Sequence, residues 1–177
     1  EFTQIDCEMS FIHQDDILNM FEGLARHLFL EIKGIEFEGP FPRISYDEAM
    51  SRYGSDKPDI RFDMPITEIT ENVKGRNFPP FELAAYAGAI SAPGCAGWSR
   101  KQIDELTEFV KRPQIGGKGL VWARVEADGS VKSSADKYYS ADDLANIALM
   151  TGSDAGDLIL MMAGPREKTL IALGELR

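Results

Sequence analysis

GDLILMMAG, Gly156 to Gly164, is the stretch whose reading decides the fold. Asp157 to Ala163 is apolar at nearly every position, without the alternation of a half-exposed strand, and reads as a strand lying centrally in a sheet. Its flanks are helical. Ser140 caps a helix over Ala141 to Met150 that Gly152 stops, and Pro165 opens a last helix with Leu170 and Leu173 inward. Further upstream, Leu120 to Glu126 is a strand rich in β-favouring residues, Asp128-Gly129 signals a hairpin, and Val131 to Tyr139 returns partly as strand. Ser99-Arg100-Lys101-Gln102 is a capping box opening a helix to Lys111, with Ile103, Leu106 and Phe109/Val110 inward. Leu83 to Ser91 is a small-residue strand, and Ala92 to Gly97 a loop. The order β, α, β-hairpin, α, β, α predicts an α+β sandwich: an antiparallel or mixed sheet with helices on one face.

Gly75 to Pro80 reads as a linker, so the sequence places a domain boundary there, with residues 1–77 before it and 78–177 after. In the first part, EFTQIDCEMSF (Glu1 to Phe11) alternates strictly. Thr3, Ile5, Cys7, Met9 and Phe11 fall on one side; Phe2, Gln4, Asp6, Glu8 and Ser10 fall on the other. Period two over this length predicts a strand. Its polar side is either a solvated face or a set of oxygens suited to a cationic group or a hydrated Mg²⁺. Next, Ile17, Phe21, Leu24, Leu28 and Ile32 recur at helical spacing, with Asp15 and Asp16 at the start and Gly34 as stop, predicting a helix of about five turns. Residues 38–42 form a turn. Ser45 and Glu48 form a second capping box, for a short helix that ends near Tyr53 with Gly54 as stop. Ser55 to Arg61 reads as a polar loop, and Met64 to Lys74 as a short helix.

The chain has 177 residues, 44% hydrophobic and 27% charged, enough to bury a core and unlike a disordered tail. Its net charge of −10 argues against strong independent nucleic-acid binding, because phosphate neutralisation supplies most of that affinity. Cys7 and Cys95 lack metal-ligand spacing and read as thiols of a reducing compartment. His13 and His27 have no partner at ligand spacing, so no metal site is expected. No apolar run reaches membrane-spanning length, and no signal peptide is present. GxGxxG after a strand, P-loop, HExxH and Gly-x-Ser-x-Gly are all absent.

Several strings carry a resemblance. EFTQIDCEMSF, RHLFLEIKGIEF (Arg26 to Phe37), YGSDKPDIRF (Tyr53 to Phe62), SRKQIDELTEFVK (Ser99 to Lys111), GGKGLVWARVEADG (Gly116 to Gly129) and GDLILMMAG resemble, in order, bacterial-type aspartyl-tRNA synthetases of class II. EFTQIDCEMSF is similar to the second strand of their motif 2. The resemblance implies a fragment: the end of motif 2, flanking catalytic-domain chain over 1–77, and over 78–177 the inserted two-layer sandwich known as the GAD domain. The first motif 2 strand with its Arg, the motif 1 interface, motif 3 and the anticodon-binding barrel are all missing. EFTQIDCEMSF and YGSDKPDIR separate the chain from the tRNA-dependent amidotransferase B subunit, which shares the sandwich domain alone. Between Phe81 and Ser99 the chain holds one clear strand where the family often has two, so one sheet edge is expected to be shortened.

The resemblance further implies a parent aspartate–tRNA ligase, a cytoplasmic homodimer that uses ATP and Mg²⁺ to activate L-aspartate and transfers it to tRNA. The isolated chain is expected to be inactive and to need no cofactor. Gln4 and Asp6 would floor the aspartate pocket, Asp6 receiving the substrate ammonium, with Glu8 as an outer partner. The alternative is a non-catalytic tRNA-facing or protein-interaction module. Its candidate contacts are Arg100, Lys101, Lys111, Arg112 and Lys118, weighed against simple solvation of the helix ends. No role is assigned to the YGSDKPDIR loop.

Overall fold

The computed structural model describes residues 2–177, which divide into two compact units, one ending at Arg43 and one spanning Ile44–Arg177. In the first unit a single helix, α1 (Gln14–Lys33), is opened by the Asp16 carboxylate accepting from the His13 amide and closed by Gly34 at φ 65°. Arg26 organises the residues after the helix. It pairs with Glu22 at 2.9 Å, donates to the carbonyls of Phe37 and Gly39, and lies over the Phe41 ring. The Phe41 amide, and then Arg26, hold the Glu22 carboxyl below its ordinary value.

The expected strand over residues 1–11 does not form. Glu1 lies outside the described residues, and residues 2–9 carry no regular structure and are exposed, Phe2 by 83% and Ile5 by 71%. A strand needs a neighbour for its ladder, and among the described residues of this unit there is none. Without that neighbour the alternating apolar side chains have no surface to bury against. The stripe of α1 likewise buries no residue fully.

The second unit contains α2 (Tyr46–Tyr53), β1 (Thr67–Glu68), α3 (Thr70–Val73), α4 (Pro79–Glu82), β2 (Tyr86–Ala92), α5 (Arg100–Val110), β3 (Val121–Val125), β4 (Val131–Ser133), α6 (Ala141–Met150), β5 (Leu158–Gly164) and α7 (Arg166–Leu176). The sheet is antiparallel throughout, in the order β1-β2-β5-β3-β4, so GDLILMMAG occupies the centre as its sequence predicts. Ser45, Ser99 and Ser140 cap their helices through Oγ. The expected helix over 64–74 is instead the two-residue edge strand β1 followed by one turn, α3.

Two further expectations need correction. First, helices cover both faces of the sheet. Ile159 and Met161 of β5, with Ala87, Ala89, Ala123 and Val125, pack on α3, α4 and α6. Leu158, Leu160 and Met162, with Tyr86 and Ile90, pack on α5 and α7. Leu158 to Met162 are all buried, so successive side chains pointing opposite ways must each meet an apolar layer. A two-layer sandwich would have left one of these sets in water. Second, the boundary at 77/78 does not coincide with the division of units. β1 pairs with β2, Ile66, Ile69 and Val73 are buried, and α2 packs on α7, so residues 44–77 belong with the sheet.

The sheet's helices are tied to the preceding loop by one well-made ion pair. Arg76 donates to both oxygens of Asp143, at 3.0 and 2.6 Å, and Ser140 donates from its amide and hydroxyl to the same carboxylate. Arg76 first, and Ser140 second, hold the Asp143 carboxyl well below the usual carboxylate range. A depressed folded-state pKa contributes stability that is fully present above the unfolded value and is lost as pH falls through the folded one. Asp143→Asn is therefore expected to be less stable than wild type at pH 7, with the gap closing as pH drops below about 4. Urea titrations across that range check it; a gap independent of pH would remove the carboxylate from the account.

Candidate functional site

Gln4, Asp6 and Glu8 lie on the unstructured stretch of the first unit, all exposed, and none makes a side-chain hydrogen bond among the described residues. Glu8, Cys7, Met9 and Ile17 line a shallow depression that includes neither Gln4 nor Asp6. The three residues do not share that depression. Cys7, expected on an inward face, is exposed.

Four of the five basic candidates sit on or beside α5, and each has a local partner. Arg100 faces Asp104 at 3.7 Å, Lys101 faces Glu105 at 4.0 Å, Lys111 pairs with Glu108 at 2.9 Å, and Arg112 lies over the Phe109 ring at 5.0 Å. Alternating charge at i, i+4 is the pattern of a solvated helix face. Lys118 is set apart from them, lining an apolar groove with Phe78, Leu83 and Leu120.

A concavity of the second unit lies against Tyr53 to Asp59 of the segment YGSDKPDIR. It is an open cavity of about 530 Å³ lined by Tyr46, Tyr53, Lys57, Phe62, Ile171 and Arg177 among others. Gly54 is the reason α2 and α7 come close enough to form it. At φ 67° it closes α2, and a Cβ there would fall 2.0 Å from the Leu170 carbonyl oxygen. Gly174 of α7 answers it, since a Cβ on Gly174 would lie 2.6 Å from the Tyr53 carbonyl oxygen. Downstream, Asp59 accepts from the Arg61 amide at 3.0 Å and from its guanidinium at 2.9, 3.1 and 2.5 Å. These bonds, Arg61's side chain first, hold the Asp59 carboxyl well below the carboxylate range. Arg177 donates to the carbonyls of Asp59 (2.8 Å), Phe62 (3.0 Å) and Met64 (3.1 Å), and its guanidinium stacks on the Tyr53 and Phe62 rings at 4.7 and 4.3 Å. The string was legible in the sequence; Arg177, more than a hundred residues away, was not.

Among the described residues no three of His, Cys, Asp and Glu come together in a way that could hold a metal ion. No helix among them is long and apolar enough to cross a membrane.

The model for class II tRNA synthetases (D, K and N) matches residues 1–156. The chain belongs to that family. Among curated relatives, the aspartate–tRNA ligase of Parabacteroides distasonis is 57% identical over 178 residues, that of Bacteroides fragilis 56% over 178, and that of Flavobacterium psychrophilum 53% over 177. Each alignment covers all of this chain and 30% of the relative, so this class II synthetase chain spans about a third of the length of the relatives it matches. Membership gives the N-terminal exposure a physical sense: a stretch with one side patterned for burial, within a sequence family whose members are much longer, is patterned for neighbours that these 177 residues do not supply.

Proposed function

We propose that this chain is a segment of an aspartate–tRNA ligase, carrying the end of motif 2, flanking catalytic chain and an inserted sheet domain. The observation that carries the reading is the similarity of the whole chain, at 53–57% identity, to proteins named aspartate–tRNA ligase. In the parent, an aspartate carboxylate oxygen attacks the α-phosphorus of ATP, pyrophosphate leaves, and the aspartyl group passes from the adenylate to the 3′ end of tRNA. The developing charge calls for fixed cations, and those lie in parts of the parent outside this chain. What these residues contribute is recognition of the amino acid. The Asp6 carboxylate receives the substrate ammonium in a charge-assisted hydrogen bond, Gln4 orients the same end of the ligand, and Glu8 supports them from outside. ATP supplies the adenylyl group. Among the described residues no group of His, Cys, Asp and Glu builds a Mg²⁺ site. The parent is a cytoplasmic homodimer on this reading, and the sheet domain is its GAD-type insertion.

The test is aspartate-dependent pyrophosphate exchange by the full-length ligase that contains this segment. A charged hydrogen bond contributes roughly 1.5–3 kcal/mol, so Asp6→Ala is expected to lower kcat/KM for aspartate by about ten- to a hundredfold, with KM for ATP little changed. A variant as active as wild type removes Asp6 from the pocket. Wild-type enzyme that exchanges pyrophosphate with another amino acid and not with aspartate removes the whole reading.

A further inference from the structure

Segment 54–64 is fixed by three devices. Gly54 wedges its start against the α7 backbone, with room for no side chain. Asp59 and Arg61 clamp its middle through a carboxylate that accepts from one guanidinium and one amide. Arg177 binds three of its carbonyls and is stacked on two aromatic rings while doing so. The side chains at its tip are treated in the opposite way. Asp56 and Lys57 are exposed, and neither enters an ion pair among the described residues. Tyr46, beside them on the cavity wall, is 64% exposed. A solvated turn needs neither a wedge nor three carbonyl bonds from a distant arginine. Backbone that is over-determined, carrying two exposed charges with no ion-pair partner among the described residues, is the arrangement of a preorganised recognition element.

We propose that Arg177 is a positioning residue for the ligase reaction: its guanidinium fixes the carbonyls of residues 59–64 so that Ser55, Asp56 and Lys57 meet the substrates in one geometry. This rests on the reading of the chain as part of an aspartate–tRNA ligase. The planar fork is essential to the role. An ammonium group could reach one carbonyl at a time and could not stack between Tyr53 and Phe62.

The experiment uses the full-length ligase, wild type, Arg177→Ala and Arg177→Lys. Amide hydrogen exchange is followed at Arg61, whose N–H is held by Asp59, and at Ile66, whose N–H is held by the Arg52 carbonyl. tRNA charging kinetics and thermal melting are measured alongside. Both variants are expected to stay folded and to exchange these amides about tenfold faster or more, with kcat/KM for charging reduced about tenfold. Millimolar ethylguanidinium is expected to restore protection and turnover in Arg177→Ala, and ethylammonium to restore neither. Unchanged exchange at Arg61 and Ile66 overturns the proposal. Faster exchange with unchanged charging overturns it too, because the segment would then be mere structure. Rescue by ethylammonium as well as ethylguanidinium would replace the planar fork with simple charge. If Arg177→Ala fails to fold, Arg177→Lys decides by the same readouts. A wild-type enzyme lacking aspartate-dependent exchange ends the functional reading, and the hydrogen-exchange arm shows separately whether Arg177 holds the segment.

Discussion

Gly54→Ala is expected to lower the stability of the second unit by about 3 kcal/mol or more, summing a left-handed backbone and an overpacked contact. Gly54 has φ 67°, where an L side chain costs about 1–2 kcal/mol. A methyl group there would also fall 2.0 Å from the Leu170 carbonyl oxygen and 2.9 Å from the Gly174 Cα. Both neighbours are backbone of α7, which cannot step aside as the end of a flexible side chain would. The methyl must push α7 from α2, at the expense of the buried contacts of Leu170 and Leu173 with the sheet. Gly152→Ala is the control: it has φ 62° and nothing within 4 Å of the added carbon, so it is expected to cost only about 1 kcal/mol. Urea unfolding of the two variants separates the effects. Equal losses would mean that α7 does not press on Gly54.

That contact shows where the sequence stops being readable. Gly54 was legible as a helix stop, a local matter of φ and a preceding capped helix. Its second duty, admitting the backbone of a helix more than a hundred residues later, has no local signal. The same holds for Arg177, whose partners lie at Asp59, Phe62 and Met64. Helix starts at Ser45, Ser99 and Ser140 were readable because a cap is made within four residues. Helices on both faces were implied in GDLILMMAG itself: a run apolar on both parities demands an apolar layer on each side. The sandwich expectation took that run as central without drawing the consequence. The Glu1 to Phe11 stretch failed the other way. Alternation records the burial a segment is patterned for, and a strand appears only where neighbours complete the ladder. Gln4, Asp6 and Glu8 were therefore legible as one side of a segment and not as a site, since a pocket is a property of the neighbours. The basic residues of α5 were visible as a cluster, whereas the structure sets three of them beside Asp104, Glu105 and Glu108 on an exposed face.

Ile159→Ala is expected to cost about 4 kcal/mol, in the upper part of the range for truncating a buried aliphatic side chain. Ile159 is 0% exposed on the central strand, on the face that meets α6. The cost of such a truncation depends on how well the surroundings can collapse into the space left behind. Here they collapse poorly. The site is floored by the sheet backbone, hydrogen-bonded to β2 on one side and β3 on the other, with Ser91 and Ala123 as register partners. Ala87, Ala89, Ala123 and Ala148 in the same cluster have no side-chain length to swing into a cavity. Ile159→Val keeps most of the volume and is expected to cost about 1 kcal/mol. Leu149→Ala on α6 loses a side chain of like size that is 79% exposed, so its change is expected to stay within about 0.5 kcal/mol. Chemical denaturation of the three variants tests the ordering. A small loss for Ile159→Ala would mean that α6 settles onto the sheet, and the layer on that face would then be a loose cover instead of a packed core.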